Sequence, residues 1–131
     1  MIPLSQLRVR ANAKLRDAEL LFKNRRYNGA IYLCGYAMEL LLKSRTCKTL
    51  KWAAFPETNG EFKNYQSFKT HNLDILLTVS GFEKKIKLSH FADWNNINQW
   101  NPEMRYKSIG GVSKAEALKM LDSTKNLMKI L

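Results

Sequence analysis

Between residues 5 and 23, apolar side chains recur at Leu7, Ala11, Leu15, Ala18 and Phe22, with Leu21 beside them. Steps of three and four place these residues on one face of an α-helix. A polar break at residues 24–26 separates this helix from a second one that starts at Tyr27 and runs to about Thr49. So short a connection predicts an antiparallel hairpin. On the second helix Tyr27, Ala30, Ile31, Cys34, Ala37, Met38 and Leu41 form one face, and Leu33, Leu40 and Leu42 widen it on both flanks. A helix apolar on most sides belongs in the middle of a bundle. Gly29 and Gly35 lower its helix propensity by up to about 1 kcal/mol each, and they remove bulk where a neighbour can approach.

Periodicity is lost between residues 51 and 69, where Pro56, Asn59, Gly60, Asn64 and Gln66 collect. This reads as a long loop, of the kind that is often mobile or functional, with a short turn at residues 52–55. Thr70 is placed to cap a third helix carrying Leu73, Ile75, Leu76 and Leu77, which Gly81 ends. Ile86, Leu88, Phe91, Trp94 and Ile97 suggest one further helix that decays into the polar run at residues 95–101. Gly110 and Gly111 form a hinge, and Ser113 with Glu116 forms a capping box for a last helix holding Ala117, Met120, Leu121, Thr124, Leu127, Met128 and Leu131. Strand signals are weak and no repeat emerges. The expectation is an all-α, up-and-down bundle of four or five helices, a single domain spanning residues 1–131.

Composition narrows this picture. A chain that is 45% hydrophobic and 25% charged is too apolar for disorder. The longest apolar run, residues 37–42, is interrupted by Glu39 and is far too short to span a bilayer. The N-terminus carries Arg8, Arg10, Lys14 and Arg16 where a secretory signal would be apolar, so a cytoplasmic location is expected, with no membrane association. Cys34 and Cys47 then read as reduced thiols without a disulfide. The net charge of +11 is uneven, since residues 1–51 hold 11 basic and 3 acidic side chains and thus +8 of it. Such a field steers polyanions, whether nucleic acid, nucleotide or acidic protein, and it also suits an unspecialised soluble surface.

Candidate chemistry centres on the second helix, where Tyr32, Tyr36, Glu39 and Lys43 follow at steps of four, three and four along the stripe opposite the Cys34 face. Two readings stand for this stripe: a polar network that packs or dimerises, and the wall of a groove that holds a nucleotide or a base. His71 is followed by Asp74, which is placed to orient its imidazole; His90 lies beside Phe91 and Trp94. Neither histidine has partners at metal-ligand spacing, so no metal and no cofactor is expected. A histidine with Arg105 meets the minimal requirement of a metal-independent ribonuclease. Trp94, Trp100 and Tyr106, with Asn95, Asn96, Asn98, Gln99 and Arg105, make a polar and aromatic set suited either to base stacking or to anchoring the connection. GGVSK at residues 110–114 lacks the strand and spacing of a phosphate-binding loop.

Taken together, RRYNGAIYLCGYAMELLLKSR at residues 25–45, KTHNL at 69–73, NPEMRY at 101–106 and the final helix SKAEALKMLDSTKNLMKIL resemble the HEPN domain family. The sharpest part is Tyr27, small residues at Ala30 and Gly35, then Glu39 and Lys43. The resemblance implies a helical bundle, commonly a homodimer, in which some members are ribonucleases of toxin–antitoxin systems and others accompany a small nucleotidyltransferase. The ribonucleases pair an arginine with a histidine after a spacing of four to six residues. Here Arg105 is followed at those positions by Gly110, Gly111 and Val112, and no arginine stands at that distance before His71 or His90. The resemblance therefore implies a noncatalytic member that binds nucleotide or RNA or serves a protein partner. Tyr32, Tyr36, Glu39, Lys43, His71, Arg105 and Tyr106 are the candidate ligand-binding or interface residues.

Overall fold

A computed structural model describes residues 1–106 and 111–131, with the side chains of Arg105 and Tyr106, like residues 107–110, outside the described residues. The chain is all-α. Helices α1 (Leu4–Lys23) and α2 (Tyr27–Leu50) form the expected hairpin, followed by α3 (Leu73–Ser80), α4 (Glu83–Ser89), α5 (Phe91–Ile97) and α6 (Lys114–Met128). At the hairpin turn the Asn24 side chain donates to the Leu20 carbonyl at 2.8 Å, closing the end of α1, and Arg25 takes a positive φ of 59°. Helix α2 is central, packed by α1, α3 and α6. That position explains its apolar circumference: Cys34, Ala37, Met38, Leu41 and Leu42 are all fully buried.

The sequence underestimated three features. The segment between residues 82 and 100 is two short helices, because the backbone at His90 (φ −137°, ψ 34°) leaves helical geometry between α4 and α5. Two short strands, β1 (Ile2–Pro3) and β2 (Ala54–Phe55), pair antiparallel with Ile2 opposite Phe55. Two residues per strand are too few to show an alternating pattern. The predicted loop at residues 51–69 is held by a cluster of rings: Trp52 lies 5.1 Å, centroid to centroid, from both Tyr65 and Phe68, and Phe55 lies 6.1 Å from Phe62. These aromatics do not share a helical or strand period, so the packing was invisible to periodicity while the loop polarity was not.

The cap of α3 also differs from expectation. Asn72 is the N-cap, its Oδ1 accepting from the Ile75 amide at 3.1 Å. The Thr70 hydroxyl instead accepts from the Asn72 amide at 3.0 Å, one step earlier. The two turns in succession hold His71 between them. The predicted cap of α6 is present, with Ser113 Oγ accepting from the Glu116 amide at 3.1 Å. Gly111 lies within the described residues; its hinge partner Gly110 does not.

Candidate functional site

A carboxylate taken out of water costs several kcal/mol unless it is paired. The Glu39 side chain is only 4% exposed, and its two oxygens are divided between two cations or donors. Lys43 Nζ, one turn further along α2, lies 3.2 Å from Oε2. His71 Nδ1, brought in by the turns before α3, lies 2.6 Å from Oε1. A carboxylate accepts only, so Nδ1 donates and Nε2 is the ring nitrogen left for solvent or a ligand. The imidazole is 66% exposed, which makes His71 the outward end of a polar chain whose inner end is buried. The expected link from His71 to Asp74 is not formed; Asp74 Oδ1 accepts from the Trp94 indole at 2.9 Å instead.

Two adjoining cavities of about 360 Å³ each open over this group, sharing Ile2, Tyr36, Glu39, Lys43 and Glu57 in their linings. One extends past Phe62, Phe68, Lys69 and Thr70 to His71, the other past Arg10, Ala13 and Lys14 of α1. The cleft therefore presents Arg10, Lys14, Lys43 and Lys69 against Glu39 and Glu57, with His71 at one edge. With Glu39 already spoken for by its two partners, the remaining charge is positive. Lys14 Nζ lies 5.2 Å from the Tyr36 ring centroid and Lys43 Nζ lies 5.3 Å from that of Phe55, both within cation–π range. The Tyr36 hydroxyl is held above its ordinary value by burial and by the Glu39 charge, so it stays a neutral donor and acceptor.

Of the residues singled out in the sequence, the structure brings together Tyr36, Glu39, Lys43 and His71. Tyr32 stands beside them without lining the cleft, its ring 6.4 Å from Tyr36 and 6.1 Å from Trp100. Arg105 and Tyr106 fall in a 3-10 turn (Pro102–Tyr106), their side chains outside the described residues. His90 marks the α4–α5 junction. Arg10, Lys14 and Lys69 were missed. The first two are an i, i+4 basic pair flanking the buried Leu7, Ala11 and Leu15 stripe of α1, a position that faces the partner helix of the hairpin and was readable in principle. The polar aromatic set divides: Trp94 is a core anchor, Asn96 Nδ2 donates to Ser123 Oγ at 3.0 Å, and Trp100 covers α2 at Gly35.

Among the described residues no helix is long and apolar enough to cross a membrane. Both cysteines are free and buried. No curated protein and no solved structure matches the chain. The family model of the HEPN domain matches residues 4–58, the stretch that supplies Arg10, Lys14, Tyr36, Glu39, Lys43 and Glu57 to the cleft.

Proposed function

We propose that this protein binds the phosphate-bearing part of a nucleotide, free or within single-stranded RNA, in the cleft over Glu39, and does so without cleaving it. The observation that carries this reading is a buried carboxylate satisfied by Lys43 and His71 at the floor of a cavity otherwise edged by Arg10, Lys14 and Lys69. Glu39 fixes the two groups nearest the floor, and the outer cations supply attraction that costs little reorganisation when an anion arrives. Tyr36 adds a ring face and a hydroxyl at the junction of the two cavities.

The non-cleaving reading is supported by the sequence spacing around Arg105 and by the tie between His71 and Glu39, which holds the imidazole against a buried carboxylate. Titration of the chain with mononucleotides and with a short single-stranded RNA, at several salt concentrations, tests the reading. Binding should weaken as salt rises, as contacts to phosphates release counterions. Lys14→Ala and Lys69→Ala should each weaken it several-fold, while the RNA is recovered intact. Salt-independent binding, or RNA cleavage lost on His71→Ala, overturns the proposal.

A further inference from the structure

His71 is a titratable group held rigidly at the edge of the basic cleft. Its backbone sits between two turns, with the Thr70 hydroxyl accepting from the Asn72 amide and Asn72 Oδ1 accepting from the Ile75 amide. Its ring is fixed by Glu39, with Nδ1 lying 2.6 Å from Oε1. Lys43 Nζ engages the other carboxylate oxygen at 3.2 Å, so Glu39 remains the acceptor and Nδ1 the donor. That assignment sets the tautomer. A neutral imidazole carries one proton, and when Nδ1 holds it, Nε2 offers the cleft only a lone pair.

A lone pair is the wrong partner for a phosphate, whose oxygens are acceptors themselves. Protonation changes both properties of Nε2 together: the acceptor becomes a donor, and a positive charge appears beside the anion. Nδ1 carries a proton in either state, so the bond to Glu39 is kept and the ring need not turn.

The charged and titratable groups around this ring come from four parts of the fold. Helix α2 supplies Tyr36, Glu39 and Lys43, the chain before α3 supplies Glu57 and Lys69, α3 supplies Asp74, and α1 supplies Arg10 and Lys14 across the second cavity. Asp74 is engaged by the Trp94 indole. Among these side-chain types, imidazole is the one that ordinarily changes charge between pH 5 and 8. The chain has one other histidine, His90, at the α4–α5 junction.

We propose that His71 gates the Glu39 cleft by protonation: its Nε2–H binds a phosphate oxygen of the ligand, and the cleft takes up a proton together with the anion. The inference rests on the phosphate reading of that cleft, so the test separates the two. The probe is a short oligouridylate without a terminal phosphate, whose own charge is constant across the range used. The intact chain is titrated with it between about pH 5.5 and 8 at constant ionic strength. Affinity should rise about tenfold or more from the top of the range to the bottom, the gain expected of one added charge-assisted hydrogen bond. Calorimetry near neutral pH, in two buffers that differ in ionisation enthalpy, should show net uptake of protons on binding. His71→Asn keeps an amide donor for Glu39 but does not titrate; it should reduce the rise to less than about twofold and abolish the proton uptake. His90→Asn should keep both. An affinity independent of pH, or a rise that survives in His71→Asn, overturns the proton gate and leaves the phosphate cleft standing. No binding at any pH overturns both.

Discussion

Replacing Gly35 with alanine asks whether the Trp100 indole truly lies on the middle of α2. A Cβ at this position would stand 2.2 Å from Cγ, Cδ2 and Cε2 of Trp100. Non-bonded carbons settle at about 3.5–4.0 Å, so the ring must retreat by more than about 1 Å. The atoms met are the attachment point and fused edge of the indole, not a loose end, and the ring also packs against Tyr32. Overpacking of this kind costs about 1–3 kcal/mol. Alanine returns up to about 1 kcal/mol of helix propensity, leaving a net loss of about 1–2 kcal/mol. Gly29→Ala supplies the control on the same helix, since its Cβ would meet only the tip of Leu21, Cδ1 at 3.0 Å, which can rotate away. Urea denaturation followed by far-ultraviolet circular dichroism should show a lower midpoint with unchanged slope for Gly35→Ala, and an equal or higher midpoint for Gly29→Ala. If Gly35→Ala is as stable as the unaltered chain, propensity has won and the indole does not occupy that position.

Glu39→Ala leaves Lys43, only 13% exposed, without its carboxylate and strips His71 of its partner; a loss of about 3 kcal/mol is expected in the same melts, and a loss below about 1 kcal/mol contradicts the buried pairing. Ser113→Ala removes the α6 cap and should cost about 1 kcal/mol. Burial pushes the Cys34 thiol from 9.0 up to about 12. The folded chain therefore keeps a proton that the unfolded chain releases above about pH 9, so this contribution to stability is intact below that pH and is lost progressively as pH rises toward 12. Denaturation midpoints across this range should fall less steeply in Cys34→Ala, and in the native chain a thiol reagent at neutral pH should label Cys34 only as fast as the protein opens.

The hairpin was legible because α1 and α2 each carry an unbroken helical period and the connection between them is too short for any other arrangement. The stripe of Tyr36, Glu39 and Lys43 was legible for the same reason: fixed helical spacing converts sequence distance into shared direction. What closes the site was not. His71 reaches Glu39 across 32 positions, and its register depends on two successive turns at Thr70 and Asn72, where the residue pattern alone predicts one cap at Thr70. Its apparent local partner, Asp74, was claimed by Trp94 from 20 residues away. The ring cluster of Trp52, Phe55, Phe62, Tyr65 and Phe68 was hidden likewise, since its members come from a two-residue strand, a three-residue 3-10 turn and the chain around them, all too short for a period to encode their contacts.

The central claim is that the space over Glu39, Lys43 and His71 receives a nucleotide. Mapping the amide and imidazole resonances of the isotope-labelled chain by nuclear magnetic resonance during addition of a ribonucleoside triphosphate tests it most directly. Saturable shifts are expected, centred on Tyr36, Glu39, Lys43, Lys69 and His71 and including the His71 Nε2 resonance, with the hairpin turn at residues 24–26 unmoved. Saturable shifts confined to that turn or to another face, or no shifts at all, would contradict it.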